Sequence, residues 1–241
     1  EGEPAGVVFV IRDVTERKAK ESALRIANEK ISLLTRLTRH DISNLVTALS
    51  GYLELMRGDC GRYMPPAVQT VQKISDHLRF SQQYQDIGST QPVWQPLGKM
   101  VARAVGEIHP EGLEIPVDLP DVEIFADGLA YRVIYALIDN TVRHSGGATV
   151  MQIHANREED NMLTLVVEDN GRGVEKRDKG LIFQYGYGSH TGLGLAISRD
   201  ILALTGLSIR ETGVAGRGAR FEISVPPHAW HKGGSHSSRT T

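Results

Sequence analysis

Leu24, Ala27, Ile31, Leu34, Thr38, Ile42, Leu45, Leu49, Tyr52 and Met56 recur three or four residues apart, and Gly51 is the one glycine or proline inside the run. That spacing is one face of a long helix. Two consecutive four-residue steps, Leu34 to Thr38 to Ile42, depart from the heptad and locally unwind a coiled coil. Gly58, Gly61, Pro65 and Pro66 then break the pattern. Val68, Val71, Ser75, Leu78 and Gln82 or Gln85 follow as a second helical stripe, reaching about Ile87. Neither helix can bury its stripe alone. The pair predicts an antiparallel helical hairpin over 16–88 that doubles into a four-helix bundle in a homodimer.

Upstream, the β-branched and aromatic run Gly6–Ile11 predicts a buried strand, with Asp13 and Thr15 as helix caps behind it. Downstream, Gly88-Ser89-Thr90-Gln91-Pro92 reads as a linker, and beyond it the pattern changes to short strands alternating with helices. Helices are predicted near 97–108, 128–145 and 193–205, and strands near 113–119, 149–155, 162–168, 208–213 and 220–225. The chain is thus multidomain, an all-α hairpin followed by an α+β two-layer sandwich over 93–227. The Ser-, Gly- and His-rich end, 228–241, lacks periodicity and predicts a disordered tail.

Composition narrows the partners. Among 241 residues, 27 Lys and Arg face 29 Asp and Glu, so no overall basic field draws the chain to nucleic acid or anionic lipid. The single Cys60 makes no internal disulfide and fits a reducing compartment. No apolar stretch reaches the ~18 residues that span a bilayer, and the acidic opening is no secretion signal. A cytoplasmic location is expected, with a membrane attachment only if a segment upstream of Glu1 supplies one.

The candidate chemistry falls in two places. His40 sits two residues from both Thr38 and Ile42, so at ~100° per residue it points away from the helix seam. Asp41 follows it, and Asn44, four residues on, shares its face. A carboxylate beside an exposed imidazole can fix its tautomer and raise the nucleophilicity of the other nitrogen. An ordinary histidine on a solvated face accounts for these residues alone equally well.

The second place is the sandwich. Asn140, with Arg143 and His144 three and four residues on, combines an amide oxygen able to ligate Mg²⁺ with cations that meet phosphate. A polar helix end with cations complementing the dipole explains the triplet as well. The strand pattern 163–168 delivers Asp169-Asn170-Gly171-Arg172-Gly173, where a carboxylate can accept from an adenine amino group and glycines let backbone approach the base. Thr191-Gly192-Leu193-Gly194 opens an apolar helix, and a helix N-terminus binds phosphate through its free N–H groups. It is neither a Walker loop nor a Rossmann turn. Gly213 to Gly218 reads as a turn into the last strand.

His40-Asp41-Ile42-Ser43-Asn44 resembles the phospho-acceptor box of dimeric sensor histidine kinases. The order of Asn140, the Asp169 loop, the Gly192 loop and Gly216-Arg217-Gly218-Ala219 resembles the ATP-binding domain shared by histidine kinases, gyrase, Hsp90 and MutL. The resemblance implies that His40 is phosphorylated from ATP, that Asp41 activates it, and that Asn44 orients water for dephosphorylating the partner. It further implies that Asn140 ligates Mg²⁺, that Arg143 and His144 sit by the phosphates, and that Asp169 binds adenine. Gly171, Gly173, Thr191, Gly192, Leu193 and Gly194 shape the pocket, and Phe183 is the aromatic of its lid. The partner would be a response-regulator aspartate. Gly6–Ile11 with Asp13-Val14-Thr15 resembles the end of a PAS sensor domain over 1–15.

Three departures stand out. The box lacks the proline that often follows it. Ala136 occupies the position, four before Asn140, where gyrase, Hsp90 and MutL carry a water-activating carboxylate, so hydrolysis by this domain alone is expected to be weak. Eight residues separate Phe183 from Gly192, a short lid. A non-kinase ATPase and a nucleotide-binding dimeric scaffold are the competing readings.

Overall fold

The computed structural model describes residues 42–85, 91–108, 110, 112–188 and 192–234. The predicted strand at Gly6–Ile11, the helix seam before residue 42, His40, Asp41 and Thr191 lie outside these residues.

Helix α1 spans 42–55 and carries the seam as its less exposed side: Ile42, Leu45, Leu49 and Tyr52 are half-buried between exposed neighbours. A turn at 56–58 leads to α2, Cys60–Gln85. Asp59 caps this helix by accepting the Arg62 N–H at 3.1 Å. The prolines therefore do not precede the helix as the sequence suggests. Pro65 and Pro66 lie inside it, in the second turn, where the missing donors forgo two helical bonds after a capped start.

One chain by itself does not bury the predicted stripe of α2. Ala67, Thr70 and His77 are buried, whereas Val68 is 62% exposed and Val71 and Leu78 are about half exposed. Periodicity identifies two stripes one residue apart but not which of them faces its own chain.

In the sandwich, a five-stranded sheet runs in the order β2 (Val117–Asp118), β4 (Met151–Arg157), β5 (Leu163–Asp169), β7 (Arg220–Val225), β6 (Ser208–Glu211). The β2–β4 pair is parallel and the others are antiparallel. Alternation sends Met151, Ile153, Leu165, Val167, Phe221 and Ile223 to one face. There they form a single core with α3 (Leu97–Ile108), α4 (Tyr131–His144) and α5 (Gly194–Ala203). Leu97, Met100, Val101 and Ala104 give α3 its buried stripe, and Val133, Ile134, Leu137 and Ile138 give that of α4. Each such fully buried aliphatic side chain contributes about 1.5–3 kcal/mol.

A second sheet was not foreseen: β1 (Val93–Pro96), β3 (Val122–Ala126) and β8 (Trp230–Lys232), all antiparallel. It overturns the disordered tail for residues up to 234. Trp230 donates its indole N–H to the Asn161 carbonyl at 2.9 Å, and the Gly233 N–H bonds the Asp121 carbonyl at 2.8 Å. His231 packs on Trp94 with ring centroids 4.2 Å apart. Three-residue pairing anchored by one tryptophan leaves no periodic signal. Among the described residues no helix is long and apolar enough to cross a membrane.

Candidate functional site

Strand β5 is the centre of its sheet and ends at Asp169, so the loop that follows emerges between α4 and the last two strands. Asn170 pins that loop: its Oδ1 accepts the Thr149 and Val150 N–H groups at 2.9 and 3.1 Å, and its own N–H bonds the Val150 carbonyl. Asp169 is buried, yet its carboxylate is held by three donors. Oδ1 accepts the Gly171 and Ala219 N–H groups at 2.8 and 3.1 Å, and Oδ2 accepts the Thr141 hydroxyl at 3.0 Å. A carboxylate so fixed keeps lone-pair capacity toward the space beside it.

That space is a cavity of ≈ 740 Å³, within the usual range for small-molecule sites. One wall is the outward stripe of α4, which presents Arg132, Ala136, Asn140, Arg143 and His144. They recur three or four residues apart, so they lie in one row along the helix. The opposite wall is Gly173, Tyr187 and the opening of α5 with Gly192, Leu193, Gly194 and Leu195. Two contacts set the cavity's direction along α4. Thr141 touches Asp169 at one end, while a Cβ on Gly194 would lie 3.9 Å from that of Ala136 further along. Five residues between them correspond to about 7.5 Å of helix.

The glycines have steric causes. A Cβ on Gly171 would meet Ser145 at 2.6 Å, and one on Gly173, at φ +68°, would meet the Gly218 and Val214 carbonyls at 2.7 and 2.8 Å. Gly192 packs on the backbone of Gly186 and Tyr187, and the Gly186 N–H bonds the Gly192 carbonyl at 3.0 Å. The described ends of the lid are thereby joined. Its aromatic rings are tied down as well: the Tyr187 hydroxyl donates to Asp178 at 2.7 Å, which raises the tyrosine pKa, and Tyr185 bonds Asp200.

Asn140 lines the cavity with its Nδ2 buried and unpartnered among the described residues. Arg143, half exposed, is ion-paired to Asp139 at 2.7 Å. Asp169, Asn140, Arg143, His144, Gly173, Gly192, Leu193 and Gly194 thus surround one cavity. Gly171 lies behind it, packed on Ser145. Phe183 does not belong to it. The ring is buried against Phe221, edge-on at 6.4 Å, inside the core, and its neighbours Ile182 and Tyr187 reach the cavity instead. A phenylalanine in a 3₁₀ turn gains more from core burial than from a wet rim. Asn44 stands exposed on α1. Thr141 and Asn170 hold the Asp169 carboxylate and its loop, which motif spacing missed, since their partners lie 28 and about 20 residues away.

Residues 126–229 match the histidine kinase-, DNA gyrase B- and HSP90-like ATPase family. Over 93% of its length the chain is 29% identical to the alginate biosynthesis sensor protein KinB of Pseudomonas aeruginosa, covering 40% of that protein. It is 24% identical to the signal transduction histidine-protein kinase AtoS of Escherichia coli, over 93% of the chain and 40% of the relative. The chain therefore spans less than half the length of these curated relatives. In fold it is similar to the Acinetobacter baumannii histidine kinase AdeS, with TM-score 0.59 at 20% identity, covering 78% of this chain and 97% of that one. It is also similar to histidine kinase ThkA, solved in complex with response regulator protein TrrA, with TM-score 0.62 at 18% identity over 90% and 68% of the two chains. With its cavity built on the Asn140 helix, the Asp169 loop and the Gly192 turn, the region 126–229 matches this ATPase family, and over most of its length the chain is similar to sensor histidine kinases.

Proposed function

We propose that this chain is the signalling end of a two-component sensor, which transfers the γ-phosphoryl group of ATP to His40 and then to an aspartate of a response regulator. One arrangement carries the reading: a carboxylate fixed by three donors at one end of the cavity, with an unpartnered Asn140 amide and the start of α5 along the same wall. Asp169 accepts from the adenine amino group. The first-turn N–H groups of α5, which have no helical partner, face the phosphates.

Mg²⁺ fits the donor set as a weakly held ion. The described residues contain no cluster of three acidic, His or Cys side chains, and Asn140 offers one hard oxygen. This suits a cation that keeps water and phosphate oxygens in its shell. When bound it would neutralise phosphate charge. Asn140 orients it, and Arg143 and His144 flank the phosphates. In the transfer, the bond from γ-phosphorus to the bridging oxygen breaks, ADP leaves, and a P–N bond forms at the His40 ring. Asp41 holds the ring's other nitrogen and favours loss of its proton. Asn44, on the same helix face, orients water for the reverse role.

The hairpin 16–88 supplies dimerisation and His40, and 93–227 the nucleotide domain. The exposed stripe of Val68, Val71 and Leu78, with Leu53 of α1, is the face a second copy covers. Residues 1–15 end a PAS-like sensor, and the chain acts on the cytoplasmic side. Ala136 disfavours the ATPase reading, because a methyl group stands where the water-activating carboxylate would be.

The test is incubation of the chain with γ-labelled ATP and Mg²⁺. The expected product is labelled protein, stable to alkali and labile to acid, with labelling at least ~100-fold lower in His40→Ala. Label that persists in His40→Ala overturns the acceptor. Free phosphate without labelled protein favours the ATPase, and nucleotide binding with neither product favours the scaffold.

A further inference from the structure

One cation of the cavity has no role in the reaction as described so far. Arg132 lies in the first turn of α4 and lines the cavity, and its Nε is buried without a hydrogen-bond partner among the described residues. Of the cavity's other arginines, Arg143 is committed to Asp139, and Arg172 packs its stem beside Gly146 at the Asp169 end. The Arg132 guanidinium is 5.4 Å from the centre of the Tyr131 ring, close enough for the ring face to hold it. A buried guanidinium nitrogen left unpaired is costly, and such a group at a cavity wall awaits an anion.

Its position along the helix selects which anion. Thr141 marks the Asp169 end of the α4 row, Asn140 comes next, and Ala136 faces Gly194. Arg132 is one turn beyond Ala136 and about 12 Å along the axis from Asn140. A nucleotide with its base at Asp169 and its first phosphates near Asn140 brings its terminal phosphate toward Arg132. The methyl group of Ala136 leaves the path between them open.

We infer that Arg132 is a catalytic residue that binds the γ-phosphate, so that the cavity discriminates ATP from ADP and the departing phosphoryl group is met by a positive charge. This rests on the nucleotide reading of the cavity. As the bridging P–O bond breaks and the P–N bond forms, negative charge spreads over the three γ-oxygens, and the planar donors of Arg132 stabilise it there. Arg132 discriminates because ADP has no group that reaches it.

The experiment measures Kd for AMPPNP and for ADP, each with Mg²⁺, in the wild type, Arg132→Gln and Arg132→Lys. Loss of a charge-assisted hydrogen bond predicts AMPPNP binding about 10–100-fold weaker in Arg132→Gln, with ADP within about 2-fold of wild type. Arg132→Lys, which keeps the charge without the fork, should fall between. Labelling from saturating ATP should slow by at least ~100-fold in Arg132→Gln. Unchanged ADP binding shows the cavity intact. If Arg132→Gln also loses ADP, Arg132→Lys decides: a drop of at least ~3-fold in its AMPPNP-to-ADP preference supports the role, and an unchanged preference overturns it. A wild type that binds neither nucleotide defeats the underlying reading, whereas normal wild-type labelling with undisturbed discrimination in the variants defeats Arg132 alone.

Discussion

Asp169 is the residue the proposed recognition of adenine depends on most, and its carboxylate is fixed by its neighbours. Its Oδ1 is used by two backbone donors and its Oδ2 by Thr141, so the carboxylate cannot rotate and its remaining acceptor capacity faces the cavity. Thr141→Val keeps the shape and removes the hydroxyl. We expect adenine-nucleotide binding to weaken about 5-fold, the worth of one hydrogen bond of about 1 kcal/mol, with little change in Tm. Titration with a fluorescent nucleotide checks this, and unchanged affinity would separate Thr141 from recognition. Asp169 and Asn140 were legible in the sequence because each sits in a short, ordered pattern. Thr141 was not, because it reads as one more core-facing position until the end of β5 is brought against it. Phe183 was misread for the reverse reason: an aromatic beside a glycine-rich stretch looks like a lid, and only packing shows it on Phe221.

At the scale of elements, the outer face of the large sheet is tied by charge. Arg220 on β7 bonds Glu168 on β5 at 2.7 Å and Glu222 at 3.0 Å, and Glu222 meets Arg210 on β6 at 2.7 Å. Burial opposes ionisation of Glu222, but hydrogen bonds from Arg220, Arg210 and Thr212 outweigh it and hold its pKa below the ordinary glutamate value. A depressed carboxyl pKa contributes stability above the unfolded value near ~4.3, and that stability is lost as pH falls through the folded one. Urea unfolding at pH 7 and at pH values below ~4.3 should therefore show an acid loss that is smaller in Glu222→Gln, which starts less stable at pH 7. An identical pH profile in the variant would remove Glu222 from this role. Helix α3 was legible to the residue, since four buried positions repeat at helical spacing. The edge strands of the small sheet were not: β1 has four residues and β8 three, too few for alternation to register.

At the scale of the whole molecule, residues 227–233 are part of the fold. A chain ending at Pro226 loses β8, the Trp230 anchor and one edge of the small sheet, whereas one ending at Gly234 keeps them. The first should lose stability by about 2–4 kcal/mol, somewhat under the cost of deleting a fully buried aromatic because Trp230 is half-buried, and the second should unfold like the intact chain. Calorimetric Tm values compare them. Equal Tm values for both truncations would show that the small sheet stands without β8.

The sequence alone determined what depends on local repetition and local chemistry: the helical stretch 42–55, helix α2, the three amphipathic helices and main strands of the sandwich, and the patterns around Asn140, Asp169 and Gly192. These follow from side-chain period and from glycine or charge at fixed offsets, which neighbours along the chain suffice to define. Tertiary structure decided the rest. It buried Ala67, Thr70 and His77 on α2, recruited Thr141 and Asn170 from distant elements, placed Phe183 in the core and left the Arg132 Nε without a hydrogen-bond partner among the described residues. Each of these depends on contacts across long stretches of chain, where burial and hydrogen-bond satisfaction are settled only once the sheets and helices have met.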